Sequence, residues 1–233
     1  MTSMLAVAAL LAFLASNGST AAGTRVADPV LPEPAIALRV DRVLGGLNGR
    51  TRSFLDVIAG PGEEKQQRFV RPFAVAWQDS ALLVADPGAG RVFRVDSKNR
   101  FRQTREGLLE GPIGVAACNG RVFVSDSRQG KVWAFDADLG GGRAIASDIS
   151  RPSGLACTGR YLVVAETGLH RVLVLDHAGV LQFTLGRRGK RSGEFNFPTA
   201  LAARDNVLWV GDTLNFRVQK VDLGTRQFLA EFG

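Results

Sequence analysis

One set of intervals recurs four times along this chain and limits what it can fold into. Pro72, Asp86, Arg91 and Asp96 stand 14, 5 and 5 residues apart. The same intervals separate Pro112, Asp126, Lys131 and Asp136, then Pro152, Glu166, Arg171 and Asp176, then Pro198, Asp212, Arg217 and Asp222. Successive units start 40, 40 and 46 residues apart. A period near 40 in strand-type units marks a propeller or a similar array, because a unit of that size buries its apolar faces only against a copy of itself.

Each unit reads as four strands joined by short turns. The first gives "FAVAWQ" (73–78), "ALLVAD" (81–86), "RVFRVD" (91–96) and "RFRQTR" (100–105). The second gives "IGVAAC", "RVFVSD", "KVWAFD" and a strand near 143–147. The third gives "GLAC", "YLVVAE", "RVLVLD" and "VLQFTL"; the fourth "ALAA", "VLWVGD", "FRVQKVD" and "RQFLAEF". Such units are antiparallel meanders. The predicted fold class is all-β: a β-propeller of four-stranded antiparallel blades at 69–108, 109–148, 149–194 and 195–233. Ala74, Gly114, Gly154 and Ala200 each lie two residues after the proline of their unit. They are small because the first strand lines the central channel, where the blades crowd together.

The recurring columns have structural roles that need no ligand. Proline fixes φ at a strand start, where no ladder hydrogen bond is lost. The acid and the base five residues on flank one loop. The carboxylate either pairs with that base or accepts the backbone N–H groups of the turn. Pro72, Asp86, Arg91, Pro112, Asp126, Lys131, Pro152, Glu166, Arg171, Pro198, Asp212 and Arg217 are therefore assigned to the scaffold. A catalytic residue belongs in one unit, not in four.

Upstream of the repeats, residues 4–15 ("MLAVAALLAFLA") are continuously apolar and are followed by small residues. The run is short for a bilayer span, which takes about 20 residues. It fits the core of a signal peptide over 1–23, or an apolar anchor if uncleaved. The chain is thus expected to be exported, to the periplasm or outside the cell, and to touch a membrane only if that segment stays. Residues 24–35 form a Pro-rich linker. Residues 36–68 comprise a strand at 36–44 and a connection.

The repeat columns resemble the NHL repeat, whose blades carry a Pro-x-Gly start and a strand ending Val-[Ala/Ser]-Asp before an Arg-led strand. The nearest stretches are "FNFPTALAARDNVLWVGDTLNFRVQKVD" and "RPFAVAWQDSALLVADPGAGRVFRVD". The resemblance covers 69–233 and extends to exported bacterial six-bladed propellers. It implies five or six blades, with an early strand such as 36–44 closing the ring. Four blades plus that strand would then be an incomplete six-bladed ring and the sequence a fragment; the alternatives are an open arc with a bare β edge and a propeller of four blades. The family also includes lyases that hold zinc with several channel histidines, and eukaryotic members that bind RNA through a basic face.

Those two family activities find weak support in the residues. The chain has only two histidines, His170 and His177, which do not make a three-histidine zinc site. Cys118 and Cys157 lie in different units, one step apart in the repeat register, and so point to opposite faces of their sheets. No disulfide between them is expected, and no metal, cofactor or catalytic residue is assigned. The net charge of +7 favours anionic partners. Arg187, Arg188, Lys190 and Arg191 concentrate it in the insertion that lengthens the third step. They are the candidate binding residues, although no aromatic residue interleaves them as base stacking would require, which disfavours nucleic acid. The expectation is a non-enzymatic scaffold that binds a protein, peptide or glycan in the cell envelope. The alternatives are a metal-dependent lyase or lactonase, and nucleic-acid binding through the basic rim.

Overall fold

The computed structural model describes residues 69–98 and 100–233. The expected signal segment, linker and N-terminal strand all fall within residues 1–68, outside the described residues. The first blade is β1 (Ala74–Gln78), β2 (Ala81–Asp86), β3 (Arg91–Val95) and β4 (Phe101–Gln103). The second is β5 (Pro112–Cys118), β6 (Arg121–Asp126), β7 (Lys131–Asp136) and β8 (Arg143–Ala146). The third is β9 (Pro152–Cys157), β10 (Leu162–Glu166), β11 (Arg171–Leu175) and β12 (Leu181–Leu185). The fourth is β13 (Pro198–Arg204), β14 (Val207–Asp212), β15 (Arg217–Asp222) and β16 (Phe228–Phe232). Each blade is an antiparallel sheet in simple chain order. The fold is a β-propeller with four blades described. In blade one the last strand is shorter than its sequence suggests, because the Thr104 hydroxyl takes the Val92 N–H that a longer ladder would use (3.1 Å).

Alternation along each strand sends neighbouring side chains to opposite faces, and in a blade both faces are interfaces. On β6, Val122 and Val124 pack toward blade one while Phe123 packs toward blade three. On β10, Leu162 and Val164 face blade two while Val163 faces blade four. This two-sided burial explains why the second strands are apolar runs rather than alternating ones. The clusters lie between blades one and two, two and three, and three and four; among the described residues no fourth cluster joins the ends.

The first strands pack on one another in succession: β1 on β5, β5 on β9, β9 on β13. Here the small-residue column is explained. A Cβ added at Gly114 would strike the Ser153 carbonyl oxygen, and one added at Gly154 the Thr199 carbonyl oxygen. Each is the backbone of the next blade's first strand, so only hydrogen fits.

The acid column is buried and fully occupied. Asp126 accepts the backbone N–H groups of Glu110, Gly111, Arg128 and Gln129 at 2.7 to 3.1 Å. Asp86 takes those of Val70, Arg71 and Ala89. Glu166 accepts from Ser150 N–H and from Arg171, and Asp212 from Asn196 N–H and Arg217. Each carboxylate therefore pins the chain entering its blade to the end of its second strand. The base column divides. Arg171 and Arg217 pair with their acids, whereas Arg91 reaches Glu106 and the Lys131 ammonium lies 5.9 Å over the Trp133 ring.

One expectation is corrected. Cys118 and Cys157 form a disulfide, with Cα atoms 6.0 Å apart. Their side chains do lie on opposite faces of their own sheets. Adjacent blades, however, meet by opposite faces, so that orientation brings the two sulfurs together at the blade two–blade three interface.

Candidate functional site

Antiparallel order places the loops between second and third strands, and the connections between blades, on one face of the propeller. The turns between first and second and between third and fourth strands lie on the other. The first face carries the mouth of the channel, where the residues that follow the repeat prolines converge. Phe73, Ile113, Ser153 and Thr199, with Ser127, Arg151 and Thr167, line a cavity of about 170 Å³.

Hydroxyl groups stitch the inner strands together there. Ser125 donates to the Ser153 carbonyl of the next blade. The Ser153 and Thr167 hydroxyls are 2.6 Å apart, and Thr167 donates onward to the Pro198 carbonyl at 2.7 Å. Thr199 and Thr213 repeat the pair in blade four at 2.6 Å. Sequence reading missed this column. Its signal is a Ser or Thr directly after the proline together with a Thr directly after the acid, present in blades three and four only.

The basic insertion sits on the same face and is an ordered loop. Phe195 N–H donates to the Arg187 carbonyl and Gly189 N–H to the Phe195 carbonyl. Phe195 is fully buried against blades three and four. Glu194 accepts from the Arg187 guanidinium at 3.0 Å and from Arg191 N–H at 3.1 Å. The Arg191 N–H, then Arg187, hold the Glu194 carboxyl below the usual range. Arg187, placed by sequence among the binding cations, is thus paired. Arg188, Lys190 and Arg191 are exposed, and their side chains make no ion pair among the described residues.

Beside this loop stand the loops between second and third strands of blades three and four. Each is a 3₁₀ turn closed by a residue in the left-handed region: His170 (φ 55°) and Phe216 (φ 56°). Asn215 donates to the Gly189 carbonyl at 2.8 Å, tying the blade-four turn to the basic loop. His170 Nδ1 accepts the Phe197 N–H at 3.2 Å, and its ring meets the Phe197 ring edge-on at 4.6 Å. Burial, then the nearby Arg188, lower the His170 pKa, against a weaker upward pull from Asp212. Leu169 (50% exposed), Leu214 (48%) and Phe216 (85%) project from these turns. The cations of the insertion therefore have apolar neighbours after all, supplied by other loops and invisible in the local sequence.

On the opposite face, the strand-end sulfurs of Cys118 and Cys157 meet His177, which follows β11. Each sulfur lies 3.6 Å from His177 Nε2. Sequence reading set these three residues apart.

No family model matches the chain. It is 38% identical over 73 residues to NHL repeat-containing protein 2 of Gallus gallus, and 38% identical over 69 residues to the Homo sapiens protein of that name. These matches cover 28% and 27% of this chain and 10% of each relative, so the chain spans a small part of the curated relatives it matches. Among solved structures, it is similar to a chain of the nidogen/laminin complex (TM-score 0.61, 18% identity, 72% of this chain and 65% of that one). It is also similar to virginiamycin B lyase from Staphylococcus aureus (TM-score 0.57, 13% identity, 74% and 57%). At such identities the likeness is one of fold.

Proposed function

We propose that this NHL-repeat β-propeller is a binding scaffold whose channel-mouth face takes an acidic peptide segment of a protein partner. The observation that carries this reading is the exposed Phe216, with Leu169 and Leu214, on turns of the face that bears Arg188, Lys190 and Arg191, the blade-four turn being bonded to the basic loop through Asn215. Apolar anchors ringed by cations suit a segment that buries one large side chain and neutralises its acids at the rim. The similarity in fold to a chain from a protein–protein complex is in keeping with it. With residues 4–15 acting as an export signal, the partner would be met in the cell envelope.

Display of a random peptide library against the immobilised full chain tests the reading. Acidic peptides with an aromatic or aliphatic anchor are expected to be enriched, with binding that weakens as salt rises. Phe216→Ala is expected to reduce affinity about tenfold or more, as loss of a central anchor does. The triple change Arg188→Ala, Lys190→Ala and Arg191→Ala should remove most of the salt dependence. Equal enrichment on wild type and on both variants would refute the proposal.

A further inference from the structure

The face opposite the proposed peptide site carries a second constellation. The chain has two cysteines and two histidines, and three of these four soft donors converge at one point. Cys118 closes the first strand of blade two, Cys157 closes that of blade three, and His177 leads the β11–β12 turn. All three are half-buried at the surface, open to a small ion or reagent.

The distances suit a metal. Zinc binds sulfur at about 2.3 Å and imidazole nitrogen at about 2.0–2.1 Å, which sets the S···N edge of its tetrahedron at about 3.5 Å. Both sulfurs stand 3.6 Å from the same nitrogen, His177 Nε2, and on reduction they have to part from bonding distance to the roughly 3.8 Å S···S edge of the same tetrahedron. The Thr158 carbonyl oxygen lies 3.1 Å from that nitrogen, on the same side, where a fourth oxygen ligand or a water would sit. The histidine is also held from behind. Asn119 Nδ2 lies 3.1 Å from its Nδ1, and the Phe123 ring stacks on the imidazole at 5.8 Å. Asp176 accepts the N–H groups of Ala178 and Val180 and so fixes the turn that presents it. A metal-bound histidine typically gives its other N–H to a carbonyl or carboxylate. Asn119 Nδ2 also donates to the Gly159 carbonyl at 3.2 Å, so a half-turn of the amide that puts its oxygen opposite Nδ1 gives up that bond.

We propose that Cys118, Cys157 and His177 form a redox-gated zinc site: closed as the disulfide, and open to one divalent zinc ion once both sulfurs are reduced. In the closed state Nε2–H donates to the Thr158 carbonyl. A phosphine or dithiol reductant supplies two electrons, the S–S bond breaks, and two protons complete the thiols while the reductant is oxidised. Zinc then displaces both thiol protons to form two Zn–S bonds and one Zn–N bond to Nε2. The proton of Nε2 moves through water to Nδ1. A disulfide oxidant reverses the sequence and expels the ion. The site cross-links blades two and three in either state.

The test uses the full chain and zinc alone. Protein reduced with a phosphine, then freed of it, is titrated with zinc against a chromophoric chelator, beside protein oxidised with glutathione disulfide. One zinc per reduced chain and less than a tenth of that per oxidised chain are expected, with X-ray absorption reporting two sulfur and one or more nitrogen or oxygen neighbours. His177→Ala should weaken binding at least tenfold. Zinc uptake by reduced wild type no greater than by Cys118→Ser/Cys157→Ser, or equal in reduced and oxidised wild type, would overturn the site. Uptake unchanged by His177→Ala would remove histidine from it. The comparison of two redox states of one unmutated protein stands whether or not any variant folds.

Discussion

At the scale of single residues, recurrence singles out side chains that bind the protein's own backbone. The acid present in all four blades meets the same backbone in each, taking the N–H of Val70, Glu110, Ser150 or Asn196 in the chain that enters its blade. A residue present once is free of that duty. His170 is the informative case. Its column holds Gly90 and Gly130 in the first two blades, at φ 62° and 64°, so the position asks for the left-handed region and little else. The imidazole nevertheless accepts the Phe197 N–H through Nδ1, which requires that nitrogen to be unprotonated. Burial, then Arg188, lower its pKa below the ordinary 6.5. With the folded pKa depressed, the unfolded chain takes up the proton first. Stability is therefore full above pH 6.5 and is lost as pH falls from there through the folded-state value, by at most about 1.4 kcal/mol per pH unit. Urea melts between pH 8 and 5 should show that slope, and His170→Asn should flatten it. A slope unchanged in the variant would assign the acid loss to other groups.

At the scale of elements, strand positions were legible because each strand answers to a local alternation and each turn to local Asp, Asn and Gly chemistry. The insertion was half legible. Its charges, and the six residues it adds to the repeat step, are written in the sequence. Its shape is set by Phe195, which drops from the loop into the blade three–blade four core and lies 6.0 Å from the Phe228 ring. Phe195→Ala is expected to cost about 3–5 kcal/mol, the range for removing a buried aromatic side chain. The loss should appear as a lower urea midpoint and as faster amide exchange at Gly189 and Phe195, whose N–H groups close the loop. Protection retained at those amides would show that the Glu194 contacts suffice to order the loop.

At the scale of the whole molecule, four described blades share three apolar interfaces, so among the described residues the inner blades are covered on both faces and the outer ones on one. Exchange should accordingly be slowest in β6 and β10 and fastest in β16, whose side chains are largely exposed. The disulfide adds a covalent tie across the middle interface. For a sequence separation of 39, loop entropy predicts a loss of about 4 kcal/mol on reduction in the absence of metal. A thermal melt of reduced, metal-free protein measures it, and an unchanged midpoint would mean that apolar packing alone fixes the interface. The sequence by itself determined the repeat, the strands within it and the turn-binding acid column, because each of those depends on neighbours within one unit. Only the tertiary structure decided which residues of different units meet. Stacking turns opposite faces of adjacent sheets toward each other, joining Cys118 to Cys157 beside His177, and sets Phe216 beside a basic loop that sequence showed without aromatic company. Contacts between units follow from the angle at which sheets stack, and no interval along the chain encodes that angle locally.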